Sequence, residues 1–600
     1  AAVEAVELRR QVLGEIHWSR ADDLGNLAWL VDQAGDADRA IDLYRQSLKV
    51  QESTLGADHP AYADTLQELA DVYAAAGERA EAEPLYKKSI TIRKQTFGPE
   101  SLEYGVGLNS LAFLHAEYGE YEQAEPLYRE ALRATVADVG EESFEYAGML
   151  VNLADLCSET DRLDDALVLY RQAVDIERAL PDADPSELQM LVENIASMCA
   201  ERSRYDAVIG FRKTMVELLQ EADASATAEA GANLARLAWA YERQAAYGEA
   251  EPYFRTAIEI QAAALGPEHL AVSKTLNDLG LMYYRMGRYA EAEQRLNAAL
   301  RIRTEQLGEE DPSYATTLSN LALVMQAQGR YGEVEPMYEQ VLAIREATAG
   351  VESPECALAL NNLGYFHAES GEYVRAEQFF QRSIATREAV QGETHPEFAR
   401  TVMNLADVYL LAGNLTRAES QYRRALRLRE TSVGKDHPDY ATSLNGLGKL
   451  YMALGDLDRA EETLEQALVI RKKVFGPAHR SSAAVLNNLA MVFEQRGEYM
   501  RAEPIYRQAL AIAERALGRE HVAYANQLSN FALFYVRTRD YDQARAMLSQ
   551  AFDTTRKALG SEHRLAIVQL NNLALVDLRM GNVVLAEKTY RQIAKTTEAT

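Results

Sequence analysis

The chain has 600 residues, 48% hydrophobic and 26% charged, with a formal net charge of −29. So large an acidic excess argues against nucleic acid or an anionic membrane surface as the main partner; it serves either solubility or a surface tuned to basic ligands. Three Cys (Cys157, Cys199, Cys356) make no disulfide framework and no Cys-x-x-Cys pair. No apolar run approaches the ~18 residues of a membrane span and no signal peptide is visible, so a cytoplasmic protein without membrane insertion is expected.

Taken in chain order, residues 1–20 read as the remnant of a preceding repeat, a helix B and its connector, because Leu13, Gly14 and His17 match the connector register found later. From Gly35 a 42-residue step then lands on Gly77, Gly119, Asp161, Ser203, Ala245, Gly287, Gly329, Gly371, Gly413, Gly455, Gly497, Arg539 and Gly581. A fixed period of this length predicts an all-α solenoid of about 14 helix-turn-helix repeats, each burying its apolar face against its neighbours. Residues 21–222 hold repeats 1–5 and residues 223–600 hold repeats 6–14. Within 160–260 the pattern weakens: three successive anchors lack Gly, and Arg212 and Met215 occupy core positions. A softer joint is expected there; drift without mechanical consequence is the alternative. Both ends lack a polar capping helix, so adjoining sequence, a fused or separate effector domain, or another partner is expected to cover them.

Within one repeat, Val402, Leu405, Ala406 and Tyr409 recur at helical spacing and Gly413 ends this helix A; Leu415, Ala418, Tyr422, Ala425 and Leu426 form the stripe of a helix B. Five after the anchor stands Ala in twelve repeats and Val in two (Val208, Val334), marking a close helix crossing where a larger side chain would cost roughly 1–3 kcal/mol. Nine after it stands a large apolar residue, Arg212 alone excepted. A Gly twenty-one after the anchor, in eleven of thirteen connectors, is expected to end helix B in a left-handed turn, and His-Pro follows, as in His395-Pro396, with Pro suited to a first helical turn.

Leu486-Asn487-Asn488-Leu489-Ala490, Gly497-Glu498-Tyr499, Ala502-Glu503-Pro504-Ile505-Tyr506 and Gly434-x-x-His437-Pro438-x-Tyr440 together resemble the tetratricopeptide repeat, in the 42-residue form of kinesin light chains and many bacterial proteins. The resemblance covers essentially the whole chain. It implies an α-solenoid wound into a right-handed superhelix whose helix A residues line a concave groove.

The titratable residues fall into the same register. Eight of ten His (His17, His59, His269, His395, His437, His479, His521, His563) are connector residues, expected on the outside of the stack and bonding locally at the start of helix A. His115 and His367 occupy a core position of helix A, and so do Cys157 and Cys199. No Gly-rich phosphate loop, His-Glu-x-x-His or zinc spacing is present, so neither catalysis, nor a metal, nor a cofactor is expected.

On the inner face, Asn recurs nine before the anchor: Asn26, Asn152, Asn194, Asn320, Asn362, Asn404, Asn488, Asn530 and Asn572. An amide in mid-helix has poor propensity, but it offers both donor and acceptor to an extended peptide backbone. Similar arrays use such ladders on peptides; the alternative is that these Asn tie adjacent repeats together. Trp29, Phe113, Trp239 and Tyr365 add aromatic surface. At inner positions repeats 1–5 contribute ten acids, among them Asp71 and Asp155, and no base. Repeats 6–14 contribute eight bases, among them Arg243, Lys274, Arg285, Arg400 and Lys449, against five acids. A groove acidic in its first part and mildly basic beyond is expected to hold a protein or peptide ligand. The leading reading is a non-enzymatic interaction scaffold. The alternatives are the sensor or autoinhibitory region of a larger signalling enzyme (a kinase, caspase-like protease or ATPase), and end-to-end self-association through uncapped ends.

Overall fold

A computed structural model describes residues 17–181, 184–202, 204–477 and 479–599. Most of the expected remnant at 1–20, and the anchor Ser203, lie outside them. Among the described residues there are 28 helices and no strands, from Trp18 to Ala599. They alternate between an A helix of 16 or 17 residues and a B helix of 17 to 19, as in Pro396–Leu411 followed by Leu415–Ser432. The chain divides into two compact units, Ala1–Asp223 and Ala224–Thr600, each an α-solenoid of consecutively packed helix pairs.

The anchor turn is set by the framework rather than by its residue. Gly413 turns at φ +75, and the next N–H, from Asn414, closes onto the carbonyl of Tyr409 at 2.8 Å, satisfying a helix end. Where Gly is lost, Asp161, Ala245 and Arg539 adopt the same left-handed backbone at φ 58, 60 and 67. An L-residue held there costs roughly 1–2 kcal/mol. The connector Gly departs from the left-handed helical turn expected of it. Gly98, at φ 94 and ψ 168, combines positive φ with an extended ψ, a region essentially closed to side chains.

Helix A starts on a side-chain cap. Nδ1 of His395 accepts the N–H of Glu397, and the other seven connector His cap their helices in the same way. Ser101, Ser143, Asp184, Thr227, Asp311 and Ser353 take over where His is absent.

Packing follows the pattern. The Ala or Val five after each anchor is buried, and so is the large residue nine after it, Tyr590 excepted. Arg212 is buried as well, held by Glu193 with Nη2 at 3.0 Å from Oε1. A further polar device joins successive repeats. Sixteen after the anchor stand Arg93, Arg303, Arg345, Arg387, Arg429 and Arg471. Nη1 of Arg429 donates to the Asp439 carbonyl at 2.6 Å and to Ser443 Oγ at 2.9 Å, both on the next A helix (Pro438–Leu454). Burial pushes its guanidinium below the usual value.

His115 and His367 are buried as expected and also bind an acid at the start of helix B: Glu120 at 2.7 Å and Glu372 at 3.0 Å. Cys157, Cys199 and Cys356 are buried free thiols, and burial pushes Cys199 up to about 11, which keeps it protonated.

Candidate functional site

The A helices carry the inner positions, and their Asn form bonds between repeats. Nδ2 of Asn152, Asn320, Asn404 and Asn488 donates to Oδ1 of Asn109, Asn277, Asn361 and Asn445 at 3.1, 2.9, 3.0 and 3.0 Å. Asn362 donates to Ser319 Oγ at 3.2 Å. Each partner lies 43 residues back, on the preceding A helix. The amide thus does the tying role open to it, while each of these Asn keeps its own Oδ1 as an acceptor. Asn26 and Asn194 are exposed; Asn530 and Asn572 are half-buried.

Carboxylates on this face fasten helix A to helix B. The hydroxyls of Tyr86 and Tyr170 donate to Asp71 and Asp155, and Tyr422 donates to Asp407 at 2.5 Å. Desolvation holds the Asp71 and Asp155 carboxyls above their usual range, against the pull of those hydroxyls. Glu68 is raised by desolvation and by Asp64 and Asp71 beside it. Among the described residues of the first unit, the inner positions counted above are therefore acidic or uncharged.

In the second unit, bases meet acids. Lys449 Nζ lies 3.0 Å from Asp407 Oδ1 and Arg537 Nε 3.0 Å from Glu494 Oε1; Arg285 pairs with Glu242 and Arg400 with Glu397. Four of the eight bases are thus paired, three of them with acids already counted on this face. Lys274 is exposed, and Arg243 lies 5.9 Å over the Trp239 ring. Trp29, Phe113, Trp239 and Tyr365 are 55, 52, 36 and 46% exposed, so aromatic surface is available in each unit.

Inner positions of the second unit converge on a cavity of about 630 Å³. Its wall is made of Gln326 and Ala327 from one A helix (Pro312–Ala327), Tyr365 and Glu369 from the next (Pro354–Glu369), Asn404, Asp407 and Leu411 from Pro396–Leu411, and Lys449 from Pro438–Leu454. Three residues singled out in the sequence, Tyr365, Asn404 and Lys449, meet here. Sequence reasoning missed Tyr289, Tyr331 and Tyr373, which add three rings to the lining. Their signal was a Tyr recurring two after the anchor.

The roof comes from much later in the chain. Val522, Leu559, His563, Arg564 and Leu565 close the same cavity. His521 Nε2 lies 3.1 Å from the Arg285 carbonyl, and its Cδ2 sits 3.3 Å from where a Cβ on Gly287 would be. His563 repeats the arrangement, bonded to the backbone of Ala327 with Cδ2 3.0 Å from a Cβ position on Gly329. Arg480 Nη1 donates to Tyr247 Oη at 2.8 Å and Arg564 Nη1 to the Glu369 carbonyl at 3.3 Å. The two His–Gly pairs are each 234 residues apart, about 5.6 repeats, so the second unit turns back onto itself and forms a seam. These contacts correct the placement of the connector His: His521 and His563 cap helix A as expected, but they face an earlier turn instead of lying on the outside.

Among the described residues no cluster of His, Cys, Asp and Glu is placed to hold a metal ion, and no helix is long and apolar enough to cross a membrane.

A family model described as tetratricopeptide repeat matches residues 33–95, 70–137, 103–179, 229–305, 272–347, 355–431, 397–473, 439–515, 481–532 and 524–599. No curated protein matches the chain. Similar solved structures include BtubC (BKLC) from P. vanneervenii, at 24% identity over 41% of this chain and 92% of that one, with a TM-score of 0.31. A putative kinesin light chain of Podosopora anserina with nearly identical TPR-like repeats is 25% identical over 34% of this chain and 98% of that one, at a TM-score of 0.30. The APC/C hetero-tetramer Cut9-Hcn1 is 16% identical over 96% of each chain, at a TM-score of 0.35.

Proposed function

The chain belongs to the tetratricopeptide-repeat family, and from that premise we propose that it is a non-enzymatic scaffold holding an extended segment of a partner protein against its inner, helix A face. The observation that carries this is the cavity of the second unit. Tyr365, Asn404, Asp407 and Lys449, from three successive repeats, share one wall with Leu411, which is 61% exposed. A volume of about 630 Å³ lies within the ~300–1,000 Å³ usual for ligand sites, and its make-up of rings and aliphatic groups with a few polar atoms suits an extended chain. In the first unit the acidic positions suit a basic segment instead. Buried free thiols support a reducing, cytoplasmic setting.

The test uses labelled peptides of acidic, neutral and basic composition, with binding read by fluorescence anisotropy. Leu411→Trp fills the cavity from an exposed position and is expected to keep the fold. Peptides bound by the second unit should lose affinity at least tenfold in that variant. A panel in which no bound peptide is weakened by Leu411→Trp defeats the assignment of this cavity.

A further inference from the structure

The seam has a feature beyond its shape: both nitrogens of its imidazoles are committed. His521 Nδ1 accepts the Ala523 N–H at 3.0 Å while Nε2 reaches the Arg285 carbonyl. A carbonyl only accepts, so Nε2 carries the proton and Nδ1 does not. His563 is fixed in the same way, accepting from Leu565 N at 3.1 Å and donating to the Ala327 backbone. A second proton, on Nδ1, would point at a backbone N–H and remove a helix cap. The neutral imidazole makes both contacts at once; the imidazolium keeps the carbonyl bond but meets the cap N–H with its own, and it can turn away from that N–H only by leaving the seam.

One cation beside each ring acts in the same direction, and the other arginines nearby are neutralised by carboxylates. Arg480 stands near His521, and the anchor turn beneath it is flanked by Arg285, held by Glu242, and by Arg288, held by Glu251 and Glu291. Arg564 stands near His563, whose facing turn carries Arg330, held by Glu293 and Glu333. Burial first, with Arg480 and Arg564 adding to it, pushes the two imidazoles below their ordinary value, against the carbonyl bonds, which favour the charged ring. By contrast His269 and His437, connector caps in the same unit, are exposed.

We propose that the seam is an acid-released latch: neutral His521 and His563 seat the late connectors over the cavity, and protonating them frees that side of the groove. That the groove is a peptide site rests on the function proposed above; the latch itself does not. The sign follows from linkage. An opened imidazole titrates near its ordinary ~6.5, so the open form binds more protons below that pH, and closure, firm above it, weakens as pH falls. With two sites, the opening constant rises at most about a hundredfold per pH unit.

The experiment is small-angle scattering of the full chain from about pH 8 to about pH 5 at fixed ionic strength, with helicity followed by circular dichroism and no ligand present. Wild type should expand below about pH 6.5 with helicity retained. His521→Asn with His563→Asn keeps the caps, since Asn is a good N-cap, but cannot reach the opposite turn; this variant should be expanded throughout and insensitive to pH. His269→Asn with His437→Asn should follow wild type. Arg480→Leu with Arg564→Leu, which leaves every His cap intact, should open more readily at each pH. A wild type of constant dimensions down to pH 5, or a His521/His563 variant that superimposes on it throughout, overturns the latch. Loss of peptide affinity in Leu411→Trp reports on the groove alone, so the two ideas fail separately.

Discussion

Asn404 donates its side-chain amide to Oδ1 of Asn361, 3.0 Å away on the preceding A helix. One residue type can therefore serve two neighbours: one amide hydrogen goes to the stack, and the side chain keeps its own carbonyl oxygen as an acceptor. This allows the structural and binding roles of the ladder to be separated.

Asn361→Ala removes the acceptor without touching Asn404, while Asn404→Ala removes both functions. Each should lower stability to urea by about 0.5–1.5 kcal/mol, the usual worth of such a bond. Only Asn404→Ala should also weaken a peptide bound in the second unit. Equal losses of affinity in the two variants would mean that the ladder acts on ligands only through the stack.

Arg429→Met keeps the buried stem but withdraws the bonds to Asp439 and Ser443. With the buried Ser443 hydroxyl deprived of its donor inside the interface, a loss of roughly 1–3 kcal/mol is expected. Chemical denaturation of the full chain, with the transition of the second unit resolved, measures it.

Ala245→Gly and Arg539→Gly should stabilise the protein. Both positions have positive φ, at 60 and 67, and relief of roughly 1–2 kcal/mol of backbone strain exceeds the ~0.5–1 kcal/mol entropic cost of glycine. Thermal unfolding should therefore shift upward in each variant; a downward shift would show that the side chain at the anchor contributes more than its backbone costs.

The two units should respond to acid with opposite signs. Desolvation raises the Asp71, Asp155 and Glu68 carboxyls in the folded first unit. Their contribution is fully present below the ordinary carboxylate range and is lost as pH rises through the raised values. The first unit should thus gain stability on mild acidification, while closure of the second weakens. Asp71→Asn, which keeps an acceptor for Tyr86, should raise the melting temperature at neutral pH and flatten this dependence.

Much of the stack was legible because its constraints are local. Gly413, Ala418 and Tyr422 act within one helix pair, and a period displays them fourteen times over. The arginine staple had the same visibility, since Arg93, Arg303, Arg345, Arg387, Arg429 and Arg471 repeat in register, but a charged residue at a helical position reads as solvated until its partner carbonyl is placed. The ladder Asn admitted two uses, and only the 43-residue offset of the acceptor separated them. The meeting of His521 with Gly287 left no mark on either residue type. It depends on how much each repeat rotates against the last, summed over more than five repeats, and small angular terms of that kind are not encoded at any one position.

That 234-residue return also alters how the second unit can come apart. A linear stack in which every unit touches only its neighbours melts from its ends, each step costing one interface. Bridges from Gly287 to His521 and from Gly329 to His563 tie distant rungs together, so fraying at the last repeats removes support from the seventh and eighth. Cooperativity there becomes a property of circumference rather than of length. A repeat array of this pitch gains such bridges only once it is long enough to meet itself.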